Sequence, residues 1–196
     1  MSQVVCEHAL KVLETYRRPE QTLRENPNFR IEIEFIRSDI FFILGKIHHA
    51  SRNFKDAFEN YLLAVKSNDQ NMPAQFNLAK VFYINDSYPQ AEEALEKVLK
   101  NPRHKDTVEV IRLLAQTKSR LGKVGEGVEL FKRVIELNPK DFEANIEIGQ
   151  VFDQTDPKAA IIYYENALKI LNSTNEVVPP ELLVNVGTLR LEIGKV

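Results

Sequence analysis

A pattern that returns every 34 to 38 residues constrains this chain more than any other feature of its sequence. Each copy has Leu or Ile followed by Gly or Ala. About a dozen residues later comes a small residue, then a bulky residue, and then a small or β-branched residue, all on one helix face. The copies are Leu44-Gly45 with Ala57, Tyr61 and Ala64; Leu78-Ala79 with Ala91, Leu95 and Val98; Leu114-Ala115 with Gly127, Phe131 and Val134; and Ile148-Gly149 with Ala160, Tyr164 and Ala167. A fixed period in this range predicts an all-α solenoid of stacked helix pairs.

The period also divides the chain into predicted repeats. Residues 3–17 and 29–50 have the apolar spacing of helices, and each repeat should contain a helix A, a turn and an antiparallel helix B. The predicted divisions are 1–37, an N-terminal helical segment that ends a preceding repeat; 38–71, repeat 1; 72–107, repeat 2; 108–141, repeat 3; 142–179, repeat 4 with a loop at 172–178; and 180–196, a truncated repeat 5. Because a helix A without its helix B leaves an apolar face open, we expect a piece of a longer solenoid that self-associates through its ends.

The composition indicates a globular chain without a strong electrostatic preference. Its 43% hydrophobic residues are enough for a core, and its 28% charged residues provide a polar surface. The net charge of -2 gives no general attraction to DNA, RNA or anionic membranes. No apolar run approaches the ~18 residues of a membrane span. The single cysteine, Cys6, has no partner for a disulfide within the chain, so a reducing compartment is expected.

Residues suited to catalysis or metal binding do not form a recognisable motif. The sequence lacks a Gly-rich phosphate loop, a Gly-x-Ser-x-Gly elbow and paired Cys and His at metal-ligand spacing. His48 falls at a helix-packing position and His49 lies beside it, which argues against a metal or catalytic role. We therefore expect no enzyme activity, no metal and no cofactor in this segment. The alternative is a recognition domain of a larger enzyme.

The repeats resemble the tetratricopeptide family from Ser38 to the end of the sequence. In the first repeat the matching positions are Phe41, Leu44, Gly45, His48, Ala57, Tyr61 and Ala64. Departures occur at Gln75 and Asn145, where a large residue is usual, at Lys118, where an aromatic residue is usual, and at Gly127, where alanine is usual. The resemblance implies a right-handed superhelical solenoid of tetratricopeptide helix pairs that binds other proteins.

A closer resemblance begins in the fourth repeat. Residues 141–150, the turn 153–156 and the run 178–187 are similar to the tetratricopeptide scaffold subunits of the RNA polymerase II-associated factor (Paf) complex. The resemblance implies a nuclear, non-catalytic scaffold that assembles the Paf complex on RNA polymerase II for transcription elongation and co-transcriptional histone modification. The implied partners are other Paf complex subunits, bound through extended or helical segments, and RNA polymerase II indirectly, without direct contact to nucleic acid or membrane.

Each helix A of a stacked array exposes a row of residues on which a partner segment can lie. Phe42 and Phe76 occupy equivalent positions one repeat apart, and Lys46 and Lys80 follow one helical turn later. Phenylalanines flanked by ammonium groups suit a peptide with apolar anchors and some acidic residues. The predicted partner-binding residues are Phe42, Lys46, Phe76, Lys80, Tyr83, Arg112, Gln116, Ile146 and Gln150.

Other interpretations of these residues remain open at the level of sequence. Apolar helix residues such as Phe42 more often pack against a neighbour than bind a ligand, and surface lysines are by default solvated. The alternative function is a chaperone-binding adaptor, which would bind the terminal carboxylate of its partner with a set of basic and amide side chains. Asn77 and Arg112 fall near clamp positions, but Glu109 would repel the carboxylate. The convex face of the B helices is the alternative binding surface.

Overall fold

The protein is helical wherever its structure can be described. The computed structural model describes residues 2–15 and 27–194, and these ranges contain helices and turns but no β-strand. The ten helices in them are α1 (Gln3–Thr15), α2 (Pro27–Ala50), α3 (Phe54–Ser67), α4 (Met72–Ile84), α5 (Tyr88–Lys100), α6 (Val108–Arg120), α7 (Val124–Leu137), α8 (Phe142–Phe152), α9 (Pro157–Thr174) and α10 (Pro180–Ile193). The predicted all-α fold is confirmed. The last two residues of the helix predicted over 3–17 lie outside the described ranges.

Short polar turns reverse the chain between consecutive helices. The turns after α2, α4 and α6 each contain one residue with positive φ, namely Arg52 at 58°, Asp86 at 56° and Gly122 at 76°. Four N-cap side chains accept a hydrogen bond from the backbone N–H three positions later: Asn53, Asn71, Asp141 and Asp156. Because such short turns join helices that pack side by side, the two helices of a pair run antiparallel.

The first of two compact units comprises the described residues up to 98. Its helices α2, α3 and α4 share a core in which Tyr61 is the largest buried side chain. The Tyr61 ring lies against Gly45 so closely that a Cβ on Gly45 would come within 2.5 Å of the ring. Ala57, Leu78 and Val81 complete the buried cluster. The small residues of the repeat pattern therefore mark the places where helices approach most closely.

Helix α1 covers one side of α2. Cys6, the only cysteine of the sequence, is fully buried there and packs with Ile40 and Leu44 of α2. Leu10 and Leu13 extend this contact along α1. The packing of α1 on α2 therefore removes the Cys6 thiol from solvent.

The second compact unit, from residue 99 onward, repeats the same contact between glycine and tyrosine. The ring of Tyr164 on α9 lies against Gly149 on α8, where a Cβ would come within 2.5 Å of the ring. The fully or almost fully buried side chains of this unit include Ile111, Phe131, Ile148, Leu171 and Leu182. Together these residues bury the apolar faces of helices α6 to α10.

Two polar residues replace the usual large residue of helix A without leaving their amide groups unpaired. Gln75 and Asn145 are both buried. Gln75 donates from Nε2 to the backbone oxygen of Asp69 at 3.3 Å, and Asn145 donates from Nδ2 to the backbone oxygen of Asp141 at 2.9 Å. Each amide thus bonds to the turn that precedes its own helix, so the departures from the family pattern are accommodated locally.

The two departures in the third repeat also have structural reasons. A Cβ on Gly127 would lie 2.6 Å from Oγ of Ser119 and 3.0 Å from the backbone oxygen of Ala115, so glycine fits where alanine is usual. The Lys118 side chain is almost buried, and its Nζ lies 2.8 Å from Oε2 of Glu126. The charge of Lys118 is therefore compensated within its own helix pair.

The predicted loop over residues 172–178 is wrong at its start. Helix α9 continues to Thr174, and the hydroxyl groups of Ser173 and Thr174 donate to the carbonyl oxygen of Ile170 at 2.7 and 3.1 Å. These bonds satisfy the polar side chains inside the last helical turn. The helix ends at Asn175, which has a φ of 55°, and α10 begins at Pro180. The polar composition of 172–174 therefore continues a helix rather than opening a loop.

Candidate protein-binding site

Five of the predicted binding residues lie on helices α2 and α4 of the first unit. We call Phe42, Lys46, Phe76, Lys80 and Tyr83 the first-unit face. In each helix the lysine follows the phenylalanine by four residues, so the two side chains lie on the same helix face. Nζ of Lys80 is 4.3 Å from the ring centroid of Phe76, and Nζ of Lys46 is 5.7 Å from that of Phe42. Both are cation–π contacts, and the one on α4 is the closer.

Phe42 belongs both to this face and to the core. It is half-buried, packs against the buried cluster of the first unit, and lies 6.1 Å from the Tyr61 ring between centroids. Tyr83 is also half-buried and meets Tyr88 edge-on at 5.5 Å. Phe76 is half-buried too, with Lys80 over its ring. The rings of the first-unit face are therefore held in place by neighbours while part of their surface stays accessible.

The charges of the first-unit face are positive and lack carboxylate partners. Lys80 is the only charged residue of α4. Within the described ranges, neither Lys46 nor Lys80 has a carboxylate at ion-pair distance. The nearest acidic residue along α2 is Asp39, which accepts a hydrogen bond from Nδ2 of Asn71 at 3.3 Å. Asp39 lies about two turns, or about 10 Å, from Lys46 along the helix. The face therefore carries a local excess of positive charge.

In the second unit, two predicted binding residues contact the following helix A instead. Arg112 on α6 forms ion pairs with Asp141 and Glu143, and Gln116 donates from Nε2 to Oε1 of Glu147 at 2.7 Å. We call Arg112, Gln116, Asp141, Glu143 and Glu147 the second-unit strap. The strap joins α6 to α8, and both terminal nitrogens of the Arg112 guanidinium and Nε2 of Gln116 have partners within the protein.

Asp141 is the central residue of the second-unit strap. Its side chain is 2% exposed, and its Oδ1 accepts a hydrogen bond from the backbone N–H of Ala144 at 2.9 Å, which caps α8. Oδ2 faces Arg112 and also accepts from Nδ2 of Asn138 at 3.4 Å. One buried carboxylate thus caps a helix and holds the guanidinium of the preceding helix A.

The remaining two predicted residues differ from each other. Ile146 is half-buried and packs against the cluster formed by α9 and α10. Gln150 is exposed on α8. Ile146 therefore contacts the core as Phe42 does, whereas Gln150 is available to solvent.

A cavity that the sequence does not indicate lies beside helices α1, α2 and α3. This cavity has a volume of about 470 Å³ and is lined by Leu10, Glu14, Arg37, Phe41, Leu63, Lys66 and Ser67. Its residues are far apart in sequence and belong to three helices, so no local pattern points to it.

Burial affects the titration of two core tyrosines. Burial raises the pKa of Tyr61 and of Tyr164 to about 12, so both hydroxyl groups stay protonated at neutral pH. Among residues 2–15 and 27–194, no three His, Cys, Asp or Glu side chains come together as metal ligands would. Over the same ranges, every helix is too short or too polar to span a bilayer.

Comparison with known proteins gives the same type of fold. Residues 112–175 match the family model described as tetratricopeptide repeat. A crystal structure of MamA has a TM-score of 0.69 and 19% identity, and the alignment covers 80% of this chain and 82% of MamA. YrrB, described as a tetratricopeptide protein with an unusual peptide-binding site, has a TM-score of 0.66 and 15% identity over 89% of this chain and 83% of YrrB. The predicted tetratricopeptide fold is confirmed.

Two curated relatives share similarity over most of the chain. The RNA polymerase-associated protein CTR9 of Caenorhabditis elegans is 26% identical over 174 residues, which are 83% of this chain and 15% of the relative. The CTR9 homolog of Arabidopsis thaliana is 24% identical over 160 residues, which are 80% of this chain and 14% of the relative. The chain thus spans about one seventh of the length of the relatives it matches. The similarity to CTR9 proteins agrees with the resemblance to Paf complex subunits that the sequence predicts.

Proposed function

We propose that this chain, which is built of tetratricopeptide repeats, is a non-catalytic scaffold segment that binds other protein chains along its A helices. The observation that carries the proposal is the first-unit face, where two half-buried phenylalanines, each with a lysine over its ring, follow one another in adjacent repeats. Rings of this kind supply apolar contact area and the lysines supply orientation, as in many protein interfaces.

The similarity to the CTR9 proteins supports a more specific role. We assign the chain to a scaffold that assembles the Paf complex on RNA polymerase II, in the nucleus, for transcription elongation and co-transcriptional histone modification. Its partners in this role are other Paf complex subunits, which present extended or helical segments, and the polymerase is contacted indirectly. The role needs no direct contact with nucleic acid or membrane.

The alternative of a chaperone-binding adaptor has less support. A carboxylate clamp needs cations that are free to meet the terminal carboxylate of a ligand. Arg112, which falls near a clamp position, is already paired with Asp141 and Glu143. The alternative of a recognition domain within a larger enzyme places no different demand on the described residues.

Affinity capture from nuclear extract tests the proposed function. The bait is this chain, and the two comparison baits are Phe76→Ala, on the first-unit face, and Ile162→Ala, an exposed apolar residue of α9. The expected result is capture of Paf complex subunits by the wild type and by Ile162→Ala, with a loss of several-fold for Phe76→Ala. Capture of heat-shock chaperones instead, or of no Paf subunit, would overturn the proposal.

A further inference from the structure

We propose that the first-unit face binds an acidic, extended peptide segment whose apolar side chains recur about every three residues, and that the second-unit strap takes no part in this recognition. The inference rests on the proposed function and specifies the chemistry of its ligand. It assigns the five residues of the first-unit face to binding, and it assigns Arg112 and Gln116 to internal contacts between repeats.

The sign of the charge follows from the lysines. The ammonium groups of Lys46 and Lys80 have no carboxylate partner within the described part of the chain, and α4 contains no other charge. Contact with an aromatic ring satisfies the electrostatics of one side of an ammonium group and leaves N–H donors for a ligand. A carboxylate that meets Lys80 therefore finds a cation already oriented by Phe76.

The spacing of the ligand follows from the repeat. The face offers the same pair, phenylalanine and lysine, once on α2 and once on α4. The two helices belong to one unit, and Nδ2 of Asn71, the N-cap residue of α4, donates to Oγ of Ser38 on α2 at 2.9 Å. Neighbouring helices lie about 8–10 Å apart. An extended peptide in the polyproline II conformation advances about 3.1 Å per residue and returns its side chains to the same side every three residues. One apolar anchor and one acid about every three residues therefore match successive pairs.

The predicted binding residues of the second-unit strap are already paired. At the corresponding helices α6 and α8, the guanidinium of Arg112 is held by Asp141 and Glu143, and the amide of Gln116 is held by Glu147. A ligand carboxylate that approached Arg112 would have to displace the buried carboxylate of Asp141, which also caps α8. The strap therefore does not offer an acidic segment a cation equivalent to Lys46 or Lys80.

Fluorescence anisotropy with two synthetic peptides tests the inference. One fluorescein-labelled peptide repeats the triplet Phe-Ser-Glu, and the matched peptide repeats Phe-Ser-Lys. The variant Lys46→Gln/Lys80→Gln removes both ammonium groups of the face. The control Lys55→Gln/Lys140→Gln makes the same change of net charge at exposed lysines of α3 and of the turn before α8. Arg112→Gln tests the strap, and circular dichroism confirms that each variant is folded.

The expected result is that the wild type and the control variant bind the acidic peptide at least about tenfold more tightly than the basic one. Lys46→Gln/Lys80→Gln should lose about tenfold in affinity for the acidic peptide, whereas Arg112→Gln should change this affinity by less than about twofold. Equal binding of the two peptides, no binding of either, or equal losses for the lysine and the control variants would overturn the inference. The proposed function is judged separately, because capture of Paf subunits does not depend on these peptides.

Discussion

At the scale of single residues, glycine marks where one helix touches the next. Gly149 and Gly187 occupy the same position in their repeats, yet their surroundings differ. A Cβ at residue 149 would lie 2.5 Å from the buried Tyr164 ring, whereas a Cβ at residue 187 would meet nothing within 4 Å. The same substitution should therefore have opposite effects at the two sites.

Gly149→Ala is expected to lower the free energy of unfolding by about 1–3 kcal/mol, because the enclosed ring of Tyr164 has no room to move aside. Gly187→Ala is expected to be neutral or to raise that free energy by up to about 1 kcal/mol, because alanine favours the helix. Urea unfolding at equilibrium measures both values. Similar changes at the two sites would show that the contact between Gly149 and Tyr164 is not tight in solution.

Single residues also show how far a sequence pattern can be taken. The pattern predicts that Gly45, Ala57 and Tyr61 meet, because their spacing places them on facing sides of one helix pair. It does not separate the two roles of Phe42, since a residue at the edge of a helix face can contact both the core and solvent. The pattern also does not predict the ion pair between Lys118 and Glu126, because the two residues meet only when the turn at Gly122 is formed.

At the scale of helices and their ends, the carboxylate of Asp141 both caps a helix and forms an ion pair with another helix. Asp141 and Asp156 are both N-cap residues whose side chains accept a backbone N–H, at 2.9 and 3.0 Å. Asp141 is buried and also pairs with Arg112, whereas Asp156 is exposed and makes the cap alone. Comparing variants of the two aspartates therefore distinguishes the stability due to the cap from the stability due to the contact between repeats.

Asp156→Ala is expected to cost about 0.5–2 kcal/mol of stability through loss of the cap. Asp141→Ala should cost about 1–3 kcal/mol more, because it also removes the buried one of the two carboxylate partners of Arg112 and the carboxylate that accepts from Nδ2 of Asn138. Thermal and urea unfolding of the two variants give the comparison. If the two variants lose the same stability, the strap contributes nothing beyond the cap.

The order of helices follows directly from sequence, while the contacts between repeats do not. The repeat period predicts alternating helices A and B, because apolar residues return at helical spacing within each copy. The ion pairs of Arg112 with Asp141 and Glu143 span about thirty residues, and no local rule selects them among the many charged residues of the chain. They depend on how neighbouring helices are placed.

At the scale of the whole molecule, three exposed large apolar residues of the second unit lie on α10. Leu183, Val184 and Leu191 are 54%, 65% and 67% exposed on this helix. Exposed apolar side chains that lie together favour association with another surface. We therefore expect α10 to be a place where this unit meets another protein surface.

We expect the chain to self-associate as its concentration rises, and Leu183→Gln/Leu191→Gln to weaken this association by at least about threefold. Ile84→Gln serves as a control, because Ile84 is 60% exposed on α4, a helix of the first unit. Sedimentation velocity over a range of concentrations gives the dissociation constants. Association that is unchanged in the α10 variant would exclude this helix as the contact.

The burial of Cys6 allows the detachment of helix α1 to be measured by thiol labelling. The sequence contains one thiol, and it is enclosed between α1 and α2. A thiol reagent can reach the Cys6 thiol only while α1 is detached, so the labelling rate depends on how often that helix opens. Where reclosing is faster than labelling, the ratio of the observed rate to that of an unfolded peptide is the equilibrium constant for detachment. The free energy that binds a single helix to its neighbour can thus be read without unfolding the protein.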